Sequence, residues 1–213
     1  ELARLWNAEW GLGADLQVVP CSGWTRAMHW PETGLPFVQT SPAIASYAAA
    51  LTYPGVCLFE ATNLSVGRGT PLSFQAVGAP WLDAVMVAQA FNRVQLPGVR
   101  AKAVTMTPTV PPHPHAACAA VQLRVTEPRA FRPVSAGLHL LAAVMARHLR
   151  DFCWTVYPTA ANPSGEGHFE RLIGQAGVRE TLEENPPSLA ERIAAWTVSP
   201  GWQGRVQASL LYD

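Results

Sequence analysis

Apolar segments of strand length alternate along this 213-residue chain with segments whose apolar residues recur at helical spacing. Such alternation is typical of an α/β domain, in which helices cover the faces of a sheet. It predicts strands over 15–21, 56–60, 74–81, 99–109, 119–126 and 152–157, and helices over 43–51, 82–94, 134–150, 167–173, 177–184 and 188–197. The helix over 134–150 has the most continuous apolar stripe.

These elements favour an α/β fold of α+β-like character: a single domain in which a mixed β-sheet is covered by helices. With 49% hydrophobic residues, the chain is long enough to bury one sizeable core. Residues 156–213 are expected to form a helical tail packed on the same domain. The chain begins inside an amphipathic segment, so we expect it to be the later part of a longer protein.

The composition argues against several classes of function. The 15 basic and 15 acidic residues give zero formal net charge, and no basic patch for nucleic acid or an anionic membrane is visible. No apolar run approaches the roughly 18 residues of a membrane span. The four cysteines form neither a CxxC pair nor a Cys/His cluster. We therefore expect no metal, no cofactor, no nucleic-acid partner and no membrane span.

The segment FEATNLSVGRGT, residues 59–70, is the strongest candidate site. It follows the predicted buried strand and offers hydrogen-bonding groups suited to hydroxyls, an amide and a carboxylate. The candidate binding residues are Glu60, Thr62, Asn63, Ser65, Arg68, Gly69 and Thr70, and Gly67 and Gly69 let backbone amides approach a ligand. The alternative is a structural loop in which Arg68 neutralises Glu60. The segment GRGTPL lacks the third glycine of a dinucleotide fingerprint.

Two further segments contain aromatic and acidic side chains. Trp24, Trp30 and Glu32 suit stacking on sugar rings, or they cover a core. Trp81 and Asp83 lie where a predicted strand meets a helix, a common ligand position in α/β sheets. Asp83 suits the first turn of that helix equally well, as a partner of its dipole.

The histidines suggest no metal site. His113 and His115 are two residues apart and would face the same way in an extended segment, but no third ligand lies near them in sequence. Solvent-exposed side chains are the favoured interpretation. His139 and His148 lie on the predicted helix over 134–150, where surface or satisfied core positions are expected.

Five segments in order resemble one known family. They are ELARLWNAEWGLGADLQVVP, YPGVCLFEATNLSVGRGT, GAPWLDAVMVAQAFN, LPGVRAKAVTMTPT and AFRPVSAGLHLL. Together they are similar to the C-terminal domain of the bacterial exo-β-N-acetylmuramidases, over the chain to about residue 155. The chain 1–213 is accordingly expected to be the C-terminal domain of a longer two-domain protein.

The resemblance implies an activity: removal of terminal N-acetylmuramic acid from peptidoglycan fragments, by a secreted or periplasmic bacterial protein. It also implies that a Rossmann-like N-terminal domain carries the main catalytic carboxylate, in a Glu-His-Gly segment, and that the C-terminal domain completes the pocket. Glu60 is then a possible second carboxylate, and Arg68 the reader of the lactyl carboxylate of muramic acid. The chain alone is expected to be inactive or a weak sugar binder.

Departures from the family pattern leave alternatives open. Ala43-Ile44-Ala45 stands where Asn-Met-Pro is usual, Pro111-Pro112 where Ser-Lys is usual, and Ala119-Ala120 where Gly-Gly is usual. The changes at 43–45 and 119–120 favour a non-catalytic carbohydrate-binding or interaction module that kept the fold but lost the activity. A free-standing small-molecule enzyme using Glu60 and Asp83 is a third hypothesis.

Overall fold

The structure is a computed structural model that describes residues 1–212. The chain forms two compact units: residues 38–197 make the larger unit, and residues 1–37 together with those from 198 onward make the smaller unit. The α-helices in chain order are α1 (Leu2–Glu9), α2 (Tyr47–Val56), α3 (Ala84–Arg93), α4 (Pro133–Arg147), α5 (His168–Ile173), α6 (Val178–Glu184), α7 (Leu189–Trp196) and α8 (Trp202–Val206).

The larger unit contains a sheet of three strands, β1 (Ala76–Ala79), β2 (Val99–Met106) and β3 (Cys118–Val125), in the order β1-β3-β2. A hairpin pairs β2 with β3, from Val99 opposite Val125 to Met106 opposite Cys118, and β1 pairs antiparallel with the other edge of β3. Helices alternate with these strands, so the predicted α/β class is confirmed. The sheet that was expected to be mixed is antiparallel throughout, because a hairpin and not a crossover joins β2 to β3.

Helix α4 forms the centre of the core in the larger unit. Leu138, Leu141 and Val144 of the predicted apolar stripe have no exposed surface, and Leu140 beside them is equally buried. Leu149, which was predicted to continue the stripe, lies beyond the end of α4 and is 82% exposed. Helix α2 packs against it backbone to backbone: a Cβ on Gly137 would lie 2.3 Å from the carbonyl oxygen of Gly55. Only glycine allows this approach. Because the two helices lie so close, the segment that follows α2 is buried beside them.

The strand predicted over 56–60 is wrong. Val56 ends α2, and the chain continues as a 3-10 helix, Cys57–Ala61, in which all five residues are buried. A short apolar run that is buried on every side shows neither a period of 2 nor one of 3.6, so sequence does not distinguish the two structures. The consequence is that Glu60 sits on a buried turn of helix.

Two other predicted strands are also wrong. Residues 15–21 form no strand, and 152–157 contribute a single bridge, between Thr62 and Trp154. The strands predicted over 74–81 and 99–109 are confirmed with shorter ends, and the strand predicted over 119–126 is confirmed one residue earlier, at Cys118–Val125.

The smaller unit is held together by polar contacts between its two chain segments. Arg205 of α8 donates two hydrogen bonds to the Glu9 carboxylate of α1, at 2.5 and 2.6 Å. The Glu1 carboxylate accepts from the backbone amide of Leu211 in the second segment at 2.8 Å. Arg26, which lies in the same segment as Glu1, forms an ion pair with that carboxylate at 2.6 Å. Within residues 1–212 no helix combines the length and apolar character needed to cross a bilayer.

Candidate functional site

A hollow of about 250 Å³ lies in the larger unit beside the 3-10 helix Cys57–Ala61. Three segments form its walls: residues between 60 and 68, the Pro111-Pro112 pair of the β2–β3 loop, and residues 155–157. The wall is mixed, with an apolar part from Leu64, Val66 and the prolines and a polar part at Glu60, Arg68 and Tyr157. Such a lining suits a ligand that has both an apolar face and a few fixed polar groups.

Glu60 is the centre of the polar part. Its side chain is 7% exposed, and Arg68 Nη2 donates to its Oε1 in an ion pair. The hydroxyl of Tyr157 donates to the same oxygen at 3.0 Å. Since no group within residues 1–212 donates to Oε2, one carboxylate oxygen keeps its capacity to accept a hydrogen bond.

Three titratable side chains near Glu60 have raised pKa values, so they stay protonated and neutral. Burial, together with the Glu60 charge, raises the pKa of the Cys57 thiol to about 12. Burial and then the same carboxylate raise the pKa of Tyr157 above its ordinary value, which keeps the phenol protonated as a donor. The pKa of Tyr53 is raised chiefly by burial. The Glu60–Arg68 ion pair therefore lies beside side chains that burial keeps protonated and neutral.

Arg68 is held in place by the turn that contains it. Its guanidinium carbon lies 4.8 Å from the centre of the Phe74 ring. Gly69 has a φ of +76°, and a Cβ there would lie 1.9 Å from Thr109 Oγ1, so this turn requires glycine. Arg68 Nε is buried without a hydrogen-bond partner in the described chain, and the side chain as a whole is 38% exposed. The guanidinium therefore retains donors beyond the one that Glu60 uses.

The structure thus brings together three of the predicted residues, because Glu60, Thr62 and Arg68 all line the hollow. Within that set Thr62 also serves the fold, since its hydroxyl donates to the carbonyl of Phe59 at 2.7 Å.

The other polar side chains of the segment form contacts within the fold. Asn63 Nδ2 donates to the carbonyl of Asp151 at 2.7 Å, and its Oδ1 accepts from the amide of Cys153 at 3.1 Å. Ser65 Oγ accepts from the amide of Gly67, and Thr70 Oγ1 donates to the carbonyl of that glycine. Their role in binding stays a prediction, as does that of Gly69. What these contacts show is that Asn63 joins the 59–70 segment to residues 151–153.

Trp81 and Asp83 lie at the start of α3 and are not among the residues that line the hollow. Trp81 packs against His148, with ring centres 5.2 Å apart. Asp83 caps α3 by accepting from the amide of Met86 at 3.1 Å, and its own amide donates to His148 Nε2 at 3.0 Å. Asp83 therefore has the structural role that its position in the first turn allowed, and His148 is a satisfied core histidine.

The remaining candidates also have structural contacts. Trp30 and Glu32 belong to the smaller unit, where Glu32 accepts from the amide of His29 at 2.6 Å, and Trp24 packs edge-on against Tyr212. His113 lies 2.8 Å from the carbonyl oxygen of Asn63. No group of three His, Cys, Asp or Glu side chains suited to a metal occurs among residues 1–212.

Tyr157 is a polar residue of this hollow that sequence reasoning missed. It lies 97 residues from Glu60 along the chain, and no motif links the two positions. The only available signal was a tyrosine at the end of an apolar segment predicted to be a strand.

The chain matches two known family profiles, one over most of its length and one at its start. Residues 51–212 match the profile described as "Exo-beta-N-acetylmuramidase NamZ, C-terminal", and residues 1–48 match "Exo-beta-N-acetylmuramidase NamZ, N-terminal". The chain belongs to the NamZ exo-β-N-acetylmuramidase family. The resemblance stated from the sequence is confirmed, and the first of its five segments falls in the stretch that matches the N-terminal profile.

A curated relative and two solved structures agree with this family. The relative is the peptidoglycan β-N-acetylmuramidase NamZ of Bacillus subtilis, 35% identical over 183 residues, which cover 86% of this chain and 42% of that protein. Crystal structures of two DUF1343 family proteins from Bacteroides fragilis have TM-scores of 0.68 and 0.65 at 22% and 23% identity. They cover the whole of this chain, which spans 55% and 54% of theirs, and they support the fold. The chain therefore spans about half the length of its relatives or less.

Of the departures from the family pattern, Pro111-Pro112 lines the hollow, whereas those at 43–45 and 119–120 lie away from it. Ala119 and Ala120 are inside β3, opposite Ala79 and Gly78 of β1, and a Cβ on Gly78 would come within 2.7 Å of Ala120 Cβ. Small residues at these positions keep the two strands close. Residues 43–45 precede α2 and are likewise absent from the lining of the hollow.

Proposed function

We propose that this chain is the substrate-recognising part of a peptidoglycan glycosidase that removes terminal N-acetylmuramic acid from cell-wall fragments. Membership of the exo-β-N-acetylmuramidase family supports the reaction class. The observation that carries the proposal is the arrangement of Glu60, Arg68 and Tyr157 on one wall of a single hollow. An anion-binding group and a hydroxyl acceptor stand side by side there.

The chemistry of the sugar matches these two groups. Muramic acid differs from glucosamine by a lactyl ether that ends in a carboxylate. Arg68 has N–H donors that Glu60 does not use, so it would bind that carboxylate through a charge-assisted pair. Glu60 Oε2, which has no donor within residues 1–212, would accept from a ring hydroxyl or from the acetamido N–H. Apolar Leu64 and Val66 would face the carbon skeleton.

One carboxylate is half of what hydrolysis requires. Glycosidases place two carboxyl groups roughly 5 to 9.5 Å apart around the bond to be cleaved. Glu60 is the one carboxylate that lines this hollow in the described chain. We therefore assign the main catalytic carboxylate to a Rossmann-like N-terminal domain of a longer protein, with this chain completing the pocket. Its peptidoglycan substrate would place that protein in the periplasm or outside the cell.

The single carboxylate also favours a second function for this chain when it acts by itself. Without a second carboxyl group the hollow would bind an acidic amino sugar and not cleave it. A non-catalytic carbohydrate-binding module of this kind would show weak binding of muramic acid and no release of sugar.

The decisive experiment is the substrate preference of the full-length protein after Arg68→Lys. Lysine keeps the charge beside Glu60 but loses the planar fork that holds a carboxylate in two bonds. The ratio of kcat/KM for a chromogenic N-acetylmuramic acid glycoside over the N-acetylglucosamine glycoside should fall by about tenfold or more. Arg100→Lys is the matched control, because Arg100 donates to the backbone carbonyls of Leu96 and Val99 and does not line the hollow. An unchanged ratio in Arg68→Lys would exclude this role.

Glu60→Gln separates recognition from catalysis at the same wall. A lower kcat with an unchanged KM would make Glu60 the second catalytic carboxylate. A raised KM with an unchanged kcat would make it a binding residue. If the full-length wild-type protein binds the muramic acid glycoside and releases no chromophore, the binding-module function is the correct one.

A further inference from the structure

The smaller unit has almost no hydrophobic core of its own. Among its described residues two hydrophobic side chains are buried, Leu5 at 3% exposed and Val206 at 8%. Hydrogen bonds to the carboxylates of Glu1 and Glu9 join its two chain segments. Two buried side chains cannot offset the conformational entropy of ordering about fifty residues. The smaller unit therefore lacks what an independent domain needs.

Large hydrophobic side chains of this unit are exposed to solvent. Within residues 1–212 the smaller unit exposes ten of them and the larger unit six, although the larger unit is about three times as long. The ten are Leu2, Trp6, Trp10, Leu12, Leu16, Val18, Val19, Leu35, Val198 and Trp202. Single exposed hydrophobic residues are ordinary on a protein surface, but such a concentration indicates a surface that another part of a protein covers.

Helix α1 and the residue after it carry the most regular part of this surface. Leu2, Trp6 and Trp10 recur at intervals of four residues, so they share one face, called here the α1 face. They are 51%, 41% and 63% exposed, and the two tryptophan rings stack 5.4 Å apart with planes 3° apart. Leu5, to one side of this face, is buried. An uncovered apolar face beside a buried residue is typical of a helix that packs between two layers.

A hollow of about 310 Å³ continues the α1 face at Leu2. Its apolar wall comes from both chain segments of the unit, with Leu2 and Leu5 from α1, Trp202 and Val206 from α8, and Leu210. Protein interiors are closely packed, so an apolar hollow of this size is suited to side chains of a partner. Residues after 198 thus contribute to the same apolar surface as α1.

The family comparison indicates which partner this is. Residues 1–48 match the N-terminal profile of the family, and they include the whole first segment of the smaller unit. The chain spans 42% of the Bacillus subtilis relative, so most of that protein has no counterpart in these 213 residues. Residues 198–212 match the C-terminal profile, yet they pack with the first segment. The missing part of the N-terminal domain would supply the core that the smaller unit lacks.

We propose that the α1 face and the adjoining hollow form the docking surface for the rest of the N-terminal domain in a longer protein. Residues 198–212 complete that domain by adding α8 to its core, although their sequence belongs with the C-terminal profile. Burial of the exposed leucine and tryptophan side chains drives the contact. The inference rests on the two-domain protein of the proposed function, and it adds which residues join its parts. It needs no sugar, because Glu60 and Arg68 lie in the larger unit.

Hydroxyl-radical footprinting compares the same side chains in the full-length protein and in the 213-residue chain. Trp6, Trp10 and Trp202 should be oxidised at least about fivefold more slowly in the full-length protein, since burial removes most of their exposed surface. Leu149, which is 82% exposed in the larger unit, is the reference and should change by less than about twofold. Equal oxidation of Trp6 and Trp10 in the two proteins overturns the inference.

Serine variants test the two chain segments separately. In the full-length protein Trp6→Ser and Trp202→Ser should each lower Tm by about 5 °C or more, because a covered tryptophan is lost from a core. In the 213-residue chain Trp6→Ser should change Tm by less than about 1 °C, and Leu149→Ser is the matched control with an equally small effect in both proteins. A full-length protein insensitive to Trp6→Ser would contradict the docking surface. Insensitivity to Trp202→Ser would contradict the part assigned to residues 198–212.

Sedimentation velocity separates this partner from a second copy of the protein. The full-length protein should sediment as the same species with and without Trp6→Ser. A full-length dimer that this substitution dissociates would assign the α1 face to a contact between copies and overturn the inference. Failure of the proposed function is distinguishable, because a full-length protein that covers Trp6 and releases no sugar refutes that function and supports the docking surface.

Discussion

Two hollows of the larger unit each have a glutamate and an arginine on their walls, Glu60 with Arg68 and Glu170 with Arg179. The two pairs differ in how close the charged groups lie and in how exposed the side chains are. Arg68 donates directly to Glu60, and the Glu60 side chain is 7% exposed. Arg179 lies 3.9 Å from Glu170, and those side chains are 39% and 38% exposed. A buried carboxylate requires a close cation, whereas a half-exposed one is stabilised by water and need not have one. Burial, and not the residue types, therefore determines which pair is tightly formed.

The largest expected effect comes from removing each arginine in turn. Arg68→Ala leaves Glu60 buried with only the Tyr157 hydroxyl as a donor, so the free energy of unfolding should fall by roughly 3 kcal/mol. Arg179→Ala breaks exposed contacts and should cost less than about 1 kcal/mol. Urea unfolding followed by circular dichroism measures both. Equal losses in the two variants would contradict the distinction between a buried and an exposed pair.

A smaller loss of unfolding free energy is expected on substitution of Gly165 or Gly167, the two glycines of the segment that contacts Tyr157. Gly165→Ala forces an L side chain into φ +72° and against the backbone of residues 157 and 158, so we expect a loss of roughly 2 kcal/mol. Gly167→Ala has a similar φ of +60°, but its nearest neighbour is Glu170 Oε2 at 3.7 Å. It should lose about 1 kcal/mol, from the left-handed backbone alone. Thermal unfolding of the two variants, measured side by side, tests this difference, and equal losses would contradict a cost from the close contact at Gly165.

The smallest effect concerns alkaline pH and the thiol near Glu60. The pKa of Cys57 is raised from 9.0 to about 12 in the folded protein, chiefly by burial. The unfolded chain therefore loses this proton first, so folding stability declines as pH rises above about 9, by about 1 kcal/mol between pH 9 and pH 10, the range to be measured. Cys57→Ala should make that decline shallower. Cys153→Ala removes an exposed thiol and serves as the control, and an identical slope in both variants would contradict the raised pKa.

Much of the fold was predictable because its elements have clear periods. The helix over 134–150 appears as Pro133–Arg147, and the two long strands pair as a hairpin over 99–106 and 118–125. The segment 56–60 was not predictable, since four apolar residues in a row are compatible with a strand and with a buried helical turn.

The candidate site was partly predictable for a different reason. Glu60 and Arg68 are eight residues apart, close enough for one turn to bring them together, and the glycines at 67 and 69 indicated such a turn. Asn63 and Ser65 have the same polar character, yet Asn63 bonds to the backbone of Asp151 and Cys153, and Ser65 accepts from the amide of Gly67. Residue type alone does not separate a side chain that faces a cavity from one that holds a loop.

By itself the sequence determined the family, the α/β class and the acidic and basic residues that meet at the hollow. These features depend on local residue spacing and on the order of motifs, which do not require knowledge of tertiary contacts. The tertiary structure decided that Glu60 stands on a buried helical turn, that Tyr157 donates to it, and that Glu170 lacks such a donor. These are contacts between segments up to 97 residues apart. Their energies depend on burial, which is a property of the packed core and not of any one segment.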